Sequence, residues 1–405
     1  MALQSKRARL LADADLCVKC GLCLPHCPTY RATLDENESP RGRISLLQAW
    51  ASDRLSLTPD FRQVLDDCLL CRNCEAVCPA LVPYASLMNG FRALAGEAGK
   101  PFRMRALSSL LRVGLRHPAL ARLGRRLIEG SHRLLPGSRW QRMARTLPPL
   151  TELGDWYGHH PARGDALAHV GLFLGCTASV ADAATVRALL DLLPRLGVSV
   201  TVPETQGCCG ALDLHAGRAA QAARSQARNL TAYSNPELDA ILTFASGCGA
   251  TLSEYGMLDD TPEARSFARR VFDVSQFLVE RIPANRWDFA PLEARVLVHN
   301  PCSLRNVLKT EGSVESLLRR VPGLSIHTLP GKGNCCGAAG AYMVENPEMA
   351  ERVRADSLAA ILQAKPDFLL TSNIGCALHL RAGLPDDMDL PVLHPVELLA
   401  SLQRR

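Results

Sequence analysis

Residues 17–28 read Cys-Val-Lys-Cys-Gly-Leu-Cys-Leu-Pro-His-Cys-Pro, and residues 68–79 read Cys-Leu-Leu-Cys-Arg-Asn-Cys-Glu-Ala-Val-Cys-Pro. Both follow one spacing, Cys-x2-Cys-x2-Cys-x3-Cys-Pro. Three closely spaced thiolates can reach three irons of one cubane, and a more distant thiolate takes the fourth. Where two such runs share a domain, the last cysteine of each run serves the other cluster. The spacing therefore assigns Cys17, Cys20, Cys23 and Cys78 to one [4Fe–4S] cluster, and Cys68, Cys71, Cys74 and Cys27 to a second. A pair of zinc sites would need only two Cys-x2-Cys units each, leaving the third cysteine and the trailing proline unexplained. Gly21 lets the backbone approach the site, and Pro28 and Pro79 turn the chain away from it. Two such clusters leave no iron open to substrate, which points to an electron relay.

The segment between the runs reads as helical. Ser39-Pro40 precedes apolar positions 44, 47 and 50 at helical spacing. Thr58 is the expected N-cap of a second helix ending at Asp66, with Pro59 in first position and Asp60 in the first turn. The chain has 16 cysteines, eight within 17–78, four within 176–248 and four within 302–376, so each group is a multiple of the four ligands a cubane or a structural zinc takes. No apolar run reaches the roughly 18–20 residues a membrane helix needs. The first residues lack the apolar stretch of a secretory signal. A cytoplasmic location is therefore expected, with thiolates on metal rather than disulfides.

Lys and Arg number 46 against 40 Asp and Glu, a balance of +6, but the charge is concentrated. Residues 101–150 hold eleven Arg and a single acid, Glu129. Helical spacing with interleaved Arg makes 100–165 an arginine-rich helical connector. It is either a solvated face or a docking surface for an acidic partner or an anionic leaflet.

From residue 166 the chain repeats itself. Cys176 pairs with Cys302, Cys208 with Cys335, and Cys248 with Cys376, at offsets of 126, 127 and 128. Gln206-Gly207-Cys208-Cys209-Gly210 answers Gly333-Asn334-Cys335-Cys336-Gly337, and Val170–Leu174 answers Val296–Asn300. Strands are expected at 169–174, 198–202 and 240–244, then at 294–299, 323–328 and 367–371. Helices are expected at 182–195 and 214–232, then at 313–320 and 347–364. Such alternation argues for parallel sheets with covering helices. The loops after the strand ends, where ligands gather in such sheets, carry all the cysteines of both repeats.

Cys176, Cys208, Cys209 and Cys248 in the first repeat, and Cys302, Cys335, Cys336 and Cys376 in the second, are candidate metal ligands for a further iron–sulfur cluster or zinc. The adjacent pairs could instead cycle as dithiols. These repeats resemble the cysteine-rich CCG domain of heterodisulfide-reductase-type proteins, in which a closing Cys-x2-Cys often adds a fifth thiolate. Here Thr251 and His379 stand at that place. His215 and His379 are each a ligand, a proton relay or a packed structural histidine. His26 tunes the first cluster or faces solvent. No G-x-G-x-x-G after a strand, Walker-type phosphate loop, HExxH or GxSxG occurs, so neither a flavin nor a nicotinamide site is evident.

Taken together, CVKCGLCLPHCPTY, SPRGRI, CLLCRNCEAVCP, GCCGALDLH, ASGCGATLSEYG, CCGAAG and TSNIGC resemble, in order and over nearly the whole chain, the iron–sulfur subunit family of glycolate oxidase (glycolate dehydrogenase). The expected architecture is α + α/β, with a helical ferredoxin-like domain over 1–99, the connector over 100–165, and CCG repeats over 166–290 and 291–405. The resemblance implies oxidation of glycolate, with D-lactate as a second substrate, on a flavin-containing dehydrogenase subunit beside a further flavin-type subunit. This chain would relay the electrons toward quinone or another acceptor, in peripheral contact with the inner face of the cell membrane. It would not bind nucleic acid and would have no substrate-oxidising residues of its own. Iron–sulfur subunits of anaerobic glycerol-3-phosphate dehydrogenase and heterodisulfide-reductase-like thiol reductases are similar in architecture and are the alternatives.

Overall fold

The computed structural model describes residues 2–96, scattered positions between 106 and 126, residues 155–330 and residues 335–404. Most of the arginine-rich connector expected over 100–165 lies outside the described residues. The chain forms two compact units. One comprises 1–112, 210–223 and 330–357, and the other 113–209, 224–329 and 358–405.

The first unit is helical, as its sequence pattern requires. The helix Pro40–Ala51 begins where Ser39 accepts from the Gly42 N–H, with Pro40 in first position. The helix Pro59–Asp66 is capped by Thr58, whose hydroxyl accepts from the Phe61 N–H. The helix Ala2–Asp15, not read from the sequence, packs on Pro40–Ala51 and on Tyr84–Ala95. Among its described side chains it buries Leu10 and Ala14, too sparse a stripe to announce itself. The core gathers around Phe91, which meets Trp50 and Phe61 edge-on at 5.1 and 6.0 Å between ring centres. The Arg62 guanidinium lies 5.5 Å from the centre of the same ring and is ion-paired to Asp66 at 2.8 Å.

The second unit holds two sheets. The strands are β1 (Gly158–His160), β2 (Ala168–Phe173), β3 (Val198–Val202), β4 (Ala240–Thr243), β5 (Val271–Asp273), β6 (Ala294–His299), β7 (Leu324–Thr328), β8 (Phe368–Thr371) and β9 (Val392–Leu393). The first sheet runs β1-β3-β2-β4-β5 and the second β7-β6-β8-β9. Apart from the antiparallel edge strand β1, every pairing is parallel. The second sheet thus repeats the order of the first without its antiparallel edge. The duplication holds in the register. Phe173 lies opposite Thr243 on β2 and β4, and His299 opposite Thr371 on β6 and β8.

β2, β4, β6 and β8 are buried along most of their length, in keeping with central parallel strands. β1, β5 and β9 have two or three residues each and leave little periodicity to read. One continuous apolar core runs from Trp156 through Leu189, Val200 and Phe277 to Val298, Leu317 and Leu399, so the two repeats share an interior. Their loops also interlock: the Ser246 N–H donates to the Ser372 carbonyl at 2.9 Å, and the hydroxyls of Ser246 and Ser303 are 2.8 Å apart.

Candidate functional site

In the first unit, Cys27, Cys68, Cys71 and Cys74 line one narrow cavity of about 20 Å³, together with Arg43, Arg72 and Tyr84. Three of these thiols come from the second cysteine run and one from the end of the first. Cys27, Cys68 and Cys74 are buried. Burial pushes the Cys74 thiol far up, and Cys71, Cys68, Cys27 and Cys23 push it in the same direction. Protein groups alone therefore hold Cys74 as a thiol, and ionising it beside its neighbours needs a cation among them. Arg43 partly supplies that sign of charge. It is 1% exposed, ion-paired to Glu38, bonded through Nη1 to the Thr29 hydroxyl at 3.0 Å, and 4.0 Å from the Cys27 sulfur. Although burial opposes its charge, Tyr84, Cys68, Glu38 and Cys27 hold its pKa above the ordinary range. Burial also lifts Glu38 to about 7. The Tyr84 hydroxyl is buried on this cavity without a protein partner. Four sulfurs, a buried cation and a spare hydroxyl donor fit a thiolate-bound iron–sulfur cluster, which carries net negative charge.

The other four cysteines of this unit are more open. Cys17, Cys23 and Cys78 are half-buried and Cys20 is exposed. Burial, with Cys17 and Cys27 adding, raises Cys23 to about 11. Gly21 has φ of +83°, so the loop needs glycine for its left-handed turn. His26 is half-buried, and its carbonyl accepts from Asn73 Nδ2 at 3.3 Å, tying the first run to the second.

In the second unit, the ends of β2, β3 and β4 deliver Cys176, Cys208–Cys209 and Cys248 to one place. Bonding to Cys208, then burial, pushes the Cys176 thiol far up, and bonding to Cys208 and Cys248 does the same to Cys209. The four sulfurs thus form a connected chain of contacts. A clamp of buried polar side chains holds the Cys-Cys turn. Asn229 accepts from the Gly207 N–H at 2.9 Å and donates to the Cys208 carbonyl at 3.0 Å. Tyr255 donates to the Cys209 carbonyl at 2.8 Å, and Gln206 accepts from the Leu174 N–H at 2.7 Å. Gln206 stands beside the motif and could be suspected from sequence. Asn229 and Tyr255 carry no local signal, since only tertiary folding brings them to the turn. Both glycines of the Cys-Cys-Gly turns have positive φ, +91° at Gly210 and +78° at Gly337.

In the second repeat, Cys302 follows β6 and Cys376 enters the helix Ile374–Arg381 after β8, both in the second unit. Cys335 and Cys336 belong to the first unit, where both are buried and Cys335 clusters with Leu69, Tyr342, Ala350 and Val353. Thr251, at the place of a fifth thiolate, donates back to the Gly247 carbonyl of its own helix at 3.3 Å. His379 is buried on the same helix as Cys376. His215 ends the helix Ala211–His215 in the first unit, where burial, with Arg92 adding, holds its pKa down at about 4. His299 also escaped the sequence reading. At the end of β6, it is 5% exposed and has a ring nitrogen within 4.8 Å of the Cys376 sulfur. Burial, with Arg305 adding, lowers its pKa to about 4, so the imidazole is neutral.

Known families divide the chain at the same motifs. The 4Fe-4S dicluster domain matches residues 13–82, and the Cysteine-rich domain matches residues 170–253 and 296–381. The chain is therefore an iron–sulfur protein that joins a dicluster domain, whose character fits an electron-transfer role, to a duplicated cysteine-rich domain. Over 94% of its length it is 34% identical to the "Glycolate oxidase iron-sulfur subunit" of Escherichia coli, covering 93% of that protein. It is 31% identical to the "Probable glycolate oxidase iron-sulfur subunit" of Bacillus subtilis, over 91% of this chain and 88% of that one. The chain belongs to the glycolate oxidase iron–sulfur subunit family. The "Lactate utilization protein A" of Geobacillus kaustophilus is 28% identical over 57% of the chain. Among the described residues, no helix is long and apolar enough to cross a membrane.

Proposed function

We propose that the chain is the electron-transfer subunit of a glycolate-oxidising complex. It takes electrons from a flavin-bearing partner and passes them toward quinone or another acceptor, in peripheral contact with the membrane. D-Lactate is the second substrate of the complex. Two [4Fe–4S] clusters would supply one-electron carriage, held by Cys17, Cys20, Cys23 and Cys78 and by Cys68, Cys71, Cys74 and Cys27. The observation that carries this reading is the cavity in which Cys27, from the first run, joins three cysteines of the second around Arg43. In the first cysteine-rich repeat, Cys176, Cys208, Cys209 and Cys248 hold a further metal centre. The strongly raised thiols of Cys176 and Cys209 are poor nucleophiles, which speaks against a free dithiol reductase.

The test has two parts. In anaerobically purified chain, Cys27→Ser and Cys74→Ser should disturb the same cluster signal in EPR, and Cys78→Ser the other. Cys27→Ser disturbing the Cys78 signal instead would overturn the crossed ligation. In the whole complex, Cys71→Ser should leave glycolate able to reduce the flavin while abolishing acceptor reduction. Glycolate oxidation by the isolated chain would sink the subunit role.

A further inference from the structure

The internal duplication provides its own control for the second repeat. At the end of the first repeat's central strand stands Phe173, opposite Thr243, whose buried hydroxyl has no partner. At the matching register of the second repeat stands His299, opposite Thr371, and here the hydroxyl is 2.9 Å from the imidazole Nδ1. The same strand end therefore packs with a phenyl ring, and nothing in the fold demands an imidazole. A polar ring held among buried groups is costly unless it is used. The hydroxyl fixes one ring nitrogen and leaves Nε2 as the free donor, the arrangement by which an outer partner orients a metal-ligating histidine. A ring nitrogen of His299 and the sulfur of Cys376 lie within 4.8 Å of one another, and both residues are buried. Ligands at about 2.0 Å (N) and 2.3 Å (S) on one tetrahedral ion would be roughly 3.5 Å apart, so a small side-chain adjustment lets the two share a metal. Cys302, three residues beyond His299, is the next thiolate of the same loop.

We infer that His299 is a metal ligand, so that the second cysteine-rich repeat holds a mixed imidazole–thiolate centre through His299 Nε2 and Cys376, whereas the donors of the first are thiolates alone. An N/S set of this kind suits zinc or iron. The inference concerns the second repeat only and stands apart from the relay proposed for the first unit.

The experiment uses the full chain, purified anaerobically as wild type, His299→Phe, Cys376→Ser and Thr371→Val. Zinc and iron are counted per chain, and X-ray absorption is recorded at the edge of whichever metal the Cys376 variant loses. His299→Phe copies the first repeat and should fold. It should lose the same metal as Cys376→Ser and the nitrogen scatterer near 2.0 Å, while the visible band of the N-terminal clusters persists. Thr371→Val keeps the imidazole but not its orientation, and should bind that metal about 10–100-fold more weakly against a competing chelator. Zinc loss identifies a zinc site and iron loss an iron centre, and either supports the inference. Unchanged metal content and spectrum in His299→Phe would overturn it. Should that variant fail to fold, unchanged chelator competition in Thr371→Val would overturn it instead. Loss of the N-terminal visible band from wild-type chain would break the relay reading and leave the metal count of the second repeat to be judged separately.

Discussion

The two cysteine-rich repeats share a strand order, a register and four matching cysteines, yet differ in the polar side chains set around those cysteines. The first ends its central strand on Phe173, and a clamp of Asn229, Tyr255 and Gln206 holds its Cys-Cys turn. The second ends the same strand on His299, bonded to Thr371. Even the helix entries differ. Asp182, a buried carboxyl, opens the helix Ala183–Arg195, whereas Thr310 opens Glu311–Leu318. The apolar pattern of a strand fixes the scaffold. The donors follow from one side chain at each loop, and can diverge after duplication without disturbing the sheet.

The clamp should show the largest contrast. Asn229→Leu removes the side chain that bridges the half-buried Gly207 N–H and Cys208 carbonyl, and with it the bond to the buried Tyr255 hydroxyl. The expected cost is roughly 3–5 kcal/mol, read by chemical denaturation. The metal of the first repeat should be lost while that of the second stays. Equal loss from both repeats would show that the clamp supports the shared core rather than one site.

A smaller effect is expected at the seam. Thr185 donates toward Asp182 at 2.5 Å and toward Glu397 at 2.8 Å, joining the first helix of one repeat to the last helix of the other. Burial raises Asp182 to about 7, with Glu397 adding and Arg381 opposing. Its folded pKa exceeds the unfolded value of about 3.9, so the folded chain binds the proton more tightly. Stability from this group is present below about pH 4 and falls as pH rises to about 7. Asp182→Asn should therefore gain stability over wild type as pH rises from 4 to 8, by up to about 4 kcal/mol for three pKa units. A wild-type-minus-variant difference that is flat with pH would place Asp182 in its ordinary range and the seam in solvent.

How much of this was legible beforehand differs between the scaffold and the site. The central strands announce themselves as short apolar runs, and 294–299 falls where its sequence places it. The helix Pro347–Ala364 is likewise read to the residue. β1, β5 and β9 are too short to show periodicity, and β1 sits in the stretch read as connector. The cysteine groupings are local spacing and were readable. His299 was not, because Val298-His299-Asn300 reads as the end of a strand, and only the pairing of β6 with β8 brings Thr371 to its ring. Arg43 was equally hidden. Its sequence, Pro40-Arg41-Gly42-Arg43, reads as a helix entry, and the helix turn alone does not tell which arginine points to the cysteines.

The subtlest test lies in the two threonines. Thr371→Val removes a hydroxyl bonded to a buried imidazole and should cost about 1 kcal/mol in the metal-free chain. Thr243→Val removes the matching hydroxyl of the first repeat, which is buried against Phe173 with no partner. A buried donor without a partner is a liability, and valine fills nearly the same volume. The variant should therefore be neutral or stabilised by up to about 1 kcal/mol. The single variant Phe173→His, with Thr243 intact, offers the reciprocal arrangement. Its imidazole should find the Thr243 hydroxyl, and a subsequent Thr243→Val should then destabilise. A Thr243→Val change that costs as much as Thr371→Val in the native background would mean that the hydroxyl serves the sheet in both repeats, and that the histidine was fitted to a threonine the fold already required.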